Sequence, residues 1–259
     1  MTLLSSHLFL LGGAGFVAGL LAGLLGIGGG TVLVPLLVTL NYTPVQAVAT
    51  SSLSIVITSL SGSLHNWRRG YLRPQAVLAL GLPALASAQI GVLLSDRVSP
   101  QWLLLAFGFL LLTNLGLMQW RLRLVGSGES APAVGMNPAL VQLLTGAAAG
   151  FLAGFFGVGG GVILVPLQMV GLGRPLKEAI QTSLGVIILT ALAAVVGHTL
   201  QGNVLWRGGL LLGAGGLVGA QITARWLPKL PARVVNLCFS ALLLSLAVYT
   251  FGQALFKPF

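Results

Sequence analysis

The sequence predicts an all-α, polytopic transmembrane protein of about eight spans, arranged as two internally repeated halves with broken or re-entrant helices at two glycine motifs. Three observations lead there. Of 259 residues, 56% are hydrophobic and only 13 are Lys or Arg and 3 Asp or Glu, whereas a soluble domain carries about a quarter charged residues. Apolar stretches of the length a helix needs to cross about 30 Å of hydrocarbon recur along the whole chain. Finally, GIGGGTVLVPL at 26–36 returns as GVGGGVILVPL at 157–167, with 8 of 11 positions identical.

The long segments fall near 8–25, 45–64, 76–95, 101–120, 139–156, 178–198, 206–225 and 232–252, with short apolar pieces at 31–40 and 162–170. The first is not a cleaved leader alone, because it lacks a positive n-region and seven comparable segments follow. PVQAVATSSL from Pro44 aligns without a gap on PLKEAIQTSL from Pro175, and ALASAQIGVLL on GLVGAQITARW after a one-residue shift. We therefore expect a first membrane repeat over 1–123, a linker over 124–138 with the only soluble-looking composition, and a second repeat over 139–259. Duplicated multi-span units commonly build secondary transporters with a site between the halves.

As one helix, residues 8–40 would be about 50 Å long, more than the membrane core requires. Gly26, Gly28, Gly29 and Gly30 end the first piece, and TVLVPLLVTL starts a short half-helix with Pro35 in its first turns. Gly157, Gly159, Gly160, Gly161 and Pro166 repeat the device, so Gly26, Pro35, Gly157 and Pro166 read as structural hinges. A helix broken inside the membrane frees N–H groups that lipid cannot satisfy, and they supply positive potential without a charged side chain; a small oxyanion fits there. Ordinary packing glycines and a tolerated kink are the alternative. Gly15, Gly19 and Gly23, matched by Gly146, Gly150 and Gly154, form four-residue ladders that let helices approach closely.

Side-chain candidates for substrate binding are Thr31 beside the first break, Thr50, Ser51 and Ser52, their counterparts Gln181, Thr182 and Ser183, and the paired Gln89 and Gln221. Hydroxyls and amides donate to an anion while leaving a pocket neutral, but they also bond to their own helix or tie helices together. The second break carries Val162 where the first has Thr31, so a hydroxyl there is one-sided. His65 and His198 sit near span ends, where interface or loop placement is expected; a proton-coupling role would require a gated path. Glu178 reads as helix-start stabilisation and Cys238 as a small packing residue.

Other function classes lack their machinery. GIGGG is not followed by the Lys-Ser/Thr of a phosphate loop, no nucleophile has a base partner, and no His, Cys and acidic cluster offers a metal site. No catalytic residue, metal or cofactor is expected, and the dispersed basic residues suit lipid headgroups rather than nucleic acid. The expected partners are a small anionic substrate and the bilayer; proton coupling stays open. Eight alternating spans would divide the basic residues seven against six, which sets no orientation. An odd number of crossings per half would invert the repeats and is left open.

The paired glycine motifs, the PVQAVATSSL and PLKEAIQTSL continuations and the duplicated layout resemble the sulfite exporter TauE/SafE family over nearly the whole chain. That resemblance implies a multi-pass permease of the bacterial plasma membrane, the inner membrane in a Gram-negative cell, for small anionic sulfur compounds such as sulfite or organosulfonates. An anion channel and a membrane scaffold without transport are the rival readings.

Overall fold

A computed structural model describes residues 2–126 and 137–256. Its helices are α1 (Thr2–Leu25), α2 (Gly30–Thr39), α3 (Pro44–Arg68), α4 (Pro74–Ser95), α5 (Pro100–Gly126), α6 (Pro138–Phe156), α7 (Gly161–Gly171), α8 (Leu176–Leu200), α9 (Trp206–Trp226) and α10 (Ala232–Phe256). No strand occurs among the described residues. Each of the eight expected long segments is a helix, and both short pieces are separate half-helices. Seven helices (α3–α6 and α8–α10) are long and apolar enough to cross a membrane; α1 contributes a shorter apolar run over Leu10–Leu25. Of the expected linker, 124–126 continue α5, and 127–136 lie outside the described residues.

The starts and stops follow from local chemistry. Thr43 caps α3 with a reciprocal capping box to Gln46, and prolines open α3, α4, α5 and α6, where the missing N–H costs nothing. Gly157, at φ 65°, ends α6 in the left-handed region that a Cβ disfavours.

Packing register fixes the helix directions. Along α1, Gly15, Gly19 and Gly23 lie on the backbone of Leu212, Gly216 and Ala220 of α9, so these two helices run the same way. Gly146, Gly150 and Gly154 of α6 lie in the same manner on Leu80, Ala84 and Ala88 of α4. The ladders thus cross-link the halves: the first helix of each packs on the fourth element of the other, at distances only a missing side chain allows. Helix α3 runs with α9, as Gly209 on Leu53 and Gly213 on Ile57 show, and α8 runs with α4, as Gly81 on Leu189 and Gly197 on Gln89 show. The pair α5 and α10 is antiparallel, with Phe109 stacked edge-on against Phe251 and Gln119 bonded to Ser240.

Since α1 and α3 point the same way, α2 must carry the chain back. Val32 and Leu36 of α2 line one groove with Leu10, Ala14 and Val17 of α1. Helix α7 returns along α8 in the same sense, with Gly161 against Ile187 and Gln168 beside Ser183. The pairs α1–α2 and α6–α7 are therefore re-entrant hairpins inserted from opposite faces, and the halves are inverted. Helices α3 and α8 form the central axis, with 83% and 78% of their apolar windows buried against 28–39% for the others.

Inversion changes the charge count. Arg68, Arg69, Arg73, Arg121, Arg123, Arg174, Lys177, Arg225, Lys229 and Arg233 gather at the face where α3, α5 and α9 end. Arg97 and Arg207 stand at the other, and Lys257 lies outside the described residues. The even division came from treating all eight long segments as alternating, which overlooks the return through α2 and α7.

Two single-residue expectations change. His198 is not in a loop: it lies in the last turn of α8, fully buried, with Nε2 3.2 Å from the Gly154 carbonyl. A carbonyl only accepts, so Nε2 carries the proton and Nδ1 is left buried and unpartnered. Cys238 is exposed on α10 rather than packed.

Candidate functional site

The two glycine breaks meet at the centre of the molecule. Gly26, Gly28 and Gly29 have φ of 69°, 76° and 81°, and Gly157, Gly159 and Gly160 have φ of 65°, 73° and 76°, so both tips take the same left-handed path. A Cβ on Gly30 would lie 2.5 Å from the Gly157 carbonyl oxygen, and one on Gly161 2.3 Å from that of Gly26. The backbones of the two tips therefore cross in contact, each half-helix starting against the other half's break. Ile55 of α3 and Ile187 of α8 flank both Gly28 and Gly159, filling the space beside the crossing.

Each half-helix begins with unsatisfied donors. In α2 the first intrahelical bonds come from Val32 and Leu33 to the Gly29 carbonyl, and in α7 from Ile163 and Leu164 to the Gly160 carbonyl. The amides of Gly30, Thr31, Gly161 and Val162 therefore lack an acceptor within their helices. Pro35 and Pro166 are in the second turn rather than the first, five residues on from Gly30 and Gly161. Each proline lacks the N–H that would bond four residues back, releasing the carbonyls of Thr31 and Val162 as well.

The hydroxyl and amide candidates divide by what they touch. Thr31 and Thr182 are fully buried, and their Oγ1 atoms have no partner. Ser51 donates to the break of the opposite half, with Oγ 2.8 Å from the Gly157 carbonyl and 2.9 Å from that of Val48. Thr50 Oγ1 accepts from the Leu205 amide and caps α9, and Ser52 bonds back to Val48 of its own helix. Gln89 Nε2 donates to the Ala193 carbonyl at 2.7 Å, holding α4 to α8, while Gln221 is half-buried on α9. Gln181 is buried on α8, and Ser183 Oγ accepts from Gln168 Nε2 at 3.0 Å.

Two contributors escaped the sequence reading. Thr190 donates to the Gly159 carbonyl at 2.8 Å and so supports the second tip as Ser51 does. Gln168, fully buried on α7, stands where the first half has Leu37; a polar residue inside an apolar half-helix was the available signal. Among the described residues no group of three His, Cys, Asp or Glu side chains could hold a metal.

The model of the sulfite exporter TauE/SafE family matches residues 11–250, which contain both hairpins and nearly every long helix. The chain belongs to the sulfite exporter TauE/SafE family. Its similarity to other proteins covers most of the chain. It is 27% identical over 264 residues to the Bacillus subtilis protein named "Probable membrane transporter protein YunE", covering 94% of this chain and 97% of the relative. A "Probable membrane transporter protein" of Xylella fastidiosa is 28% identical over 251 residues, covering 93% and 94%. A Methanocaldococcus jannaschii transporter protein is 28% identical over 193 residues, covering 71% and 69%. No solved structure matches. As a TauE/SafE member with this polytopic helical architecture and bacterial relatives, the protein is placed in a bacterial plasma membrane. Within that family fold, the glycine motifs are the tips of the two opposed hairpins.

Proposed function

We propose that the protein is a secondary permease for small anions, sulfite, sulfonate or a related sulfur oxyanion, that works by alternating access rather than by chemistry on its substrate. One observation carries this reading: two half-helix N-termini, inserted from opposite faces, meet at the molecular centre, where the hydroxyl of Thr31, the second residue of α2, is buried and unpartnered. Amides without a helical acceptor and unpartnered hydroxyls attract an anion but hold no fixed charge to trap it. The substrate-binding set is Gly28, Gly29, Gly30, Thr31, Gly159, Gly160, Gly161 and Thr182, with Ser51 and Thr190 positioning the two tips. Gln181 and Ser183 line the approach along α8. The two repeats, 1–123 and 139–259, act as opposed halves about the α3–α8 axis.

With Ile55 and Ile187 pressed on both tips, the structure corresponds to an occluded arrangement, and passage requires the hairpins to part from them. The positive-inside rule assigns the face with ten basic residues to the cytoplasm. An inside-negative potential contributes about 2.3 kcal/mol per charge per 100 mV, so outward movement of an anion runs with the field and uptake must be driven by the substrate gradient or by coupling.

Uptake by proteoliposomes of radiolabelled sulfite, sulfate and a small sulfonate, under imposed pH and voltage gradients, tests the proposal. Saturable movement of one anion is the expected result. Folded, inserted protein that moves none of them would leave the scaffold reading standing.

A further inference from the structure

A cavity of about 370 Å³ opens at the basic face, between the starts of α4 and α6 and the loop before α8. It is lined by Arg73, Gln75, Ala76 and Ala79 of the first half and by Gln142 and Arg174 of the second. One turn beyond Ala76 and Gln142, Gly146 of α6 lies on the Leu80 carbonyl of α4. Two guanidinium and two amide groups line it, and among the described residues the carboxylate paired with them is that of Glu178. Glu178 Oε1 is 3.0 Å from Arg73 Nη1 and 3.8 Å from Arg174 Nε, so a single acid is shared by two cations.

Arg174 is no loose surface residue. Its side chain is 13% exposed. Burial draws its pKa below the ordinary value, Glu178 raises it and Arg73 lowers it again. Its Nη1 donates to Gln168 Oε1 at 2.8 Å, and Gln168 Nε2 donates in turn to Ser183 Oγ at 3.0 Å. A polar chain thus runs from the cavity through half-helix α7 into the cluster on α8. The first half has nothing equivalent: Leu37, Thr43 and Ala47 stand in the places of Gln168, Arg174 and Glu178.

We propose that this cavity is a one-sided oxyanion-binding vestibule in which Glu178 is a resident counter-ion that an arriving anion displaces from Arg73 and Arg174. Its chemistry suits any compact, multi-oxygen anion, because guanidinium forks pair with two oxygens at once. A phosphate of an anionic lipid shares that chemistry; we commit to a small soluble oxyanion, since four of the six lining residues are polar or charged and the lining is divided between the two halves. Its role as an antechamber rests on the permease reading above, whereas the binding itself does not.

Equilibrium binding of sulfate, and of sulfite under anaerobic conditions, to the purified full chain at constant ionic strength set by chloride tests this. Glu178→Gln is expected to tighten binding several-fold by removing the internal competitor, and Arg174→Gln to weaken it at least tenfold. Arg73→Gln, more exposed, should weaken it less. If Arg174→Gln fails to fold, Gln142→Leu and Glu178→Gln still decide, with opposite signs expected. Binding curves of the folded variants that superimpose on wild type would overturn the assignment. So would sulfate displaced stoichiometrically by phosphatidylglycerol but not by phosphatidylcholine in nanodiscs, which would make it a headgroup site. Oxyanion binding that follows these signs without any flux would sink the permease reading alone; flux with unchanged binding would sink the vestibule alone.

Discussion

The crossing of the two tips offers a steric test at positions free of backbone strain. Gly30 and Gly161 are the first residues of α2 and α7 and lack the positive φ of their neighbours, so alanine is conformationally allowed there. What it meets is the other half: the Gly157 oxygen at 2.5 Å for Gly30→Ala and the Gly26 oxygen at 2.3 Å for Gly161→Ala. Real Cβ atoms essentially never come within 3.0 Å of such neighbours, so each substitution must part the tips by half an ångström or more. Both obstacles are backbone, which cannot swing aside as a side chain would. Overpacking of this kind costs about 1–3 kcal/mol, roughly a factor of 5 to 150 in any equilibrium that needs the tips in register. We expect Gly161→Ala and Gly30→Ala to reduce proteoliposome flux about tenfold or more and to lower the melting temperature. Gly12→Ala, with nothing within 4 Å of its added methyl, should match wild type in both. Wild-type flux and melting temperature in Gly161→Ala would refute the contact between the tips.

Other expectations separate binding from folding. Thr182→Val and Thr31→Val remove buried hydroxyls without partners, so they should leave stability unchanged or raise it by about 1 kcal/mol while weakening apparent substrate affinity; titration of flux with paired thermal melts reads both. Ser51→Ala strips the Gly157 carbonyl of its hydroxyl donor and should destabilise by roughly 0.6–2 kcal/mol, measured by steric trapping or thermal melts in detergent. Gly150→Ala places a methyl 2.0 Å from the Ala84 oxygen and should separate α4 from α6, lowering the melting temperature more than Gly12→Ala. For orientation, an alkaline phosphatase fusion after α10 should be active and one inserted in 127–136 inactive; the reverse pattern would overturn the assignment of the basic face to the cytoplasm.

Much of the fold was legible because lipid imposes it: a segment that must bury its own backbone bonds advertises itself by length and apolarity, and the duplicated glycines mark where the rule is broken. Direction was not legible. Ten residues of α2 rise about 15 Å, too short to count as a crossing yet enough to bring the chain back to the face it came from, and sequence does not distinguish that from a continuation. The charge asymmetry was hidden by the same step. The site shows a similar limit. Thr50, Ser51 and Ser52 look alike in sequence, but their hydroxyls serve a helix cap, the opposite tip and their own helix respectively. Neighbours on other helices decide that, and these neighbours come from the inverted half.

Counterflow most directly tests the claim that opposed hairpins carry an anion by alternating access. Proteoliposomes preloaded with unlabelled sulfite, or with whichever anion proves to be moved, are diluted into trace label. A carrier predicts a transient overshoot of label inside, abolished in Gly161→Ala and preserved in Gly12→Ala. Label that equilibrates without overshoot, accompanied by steady current, would mean a channel and contradict the account.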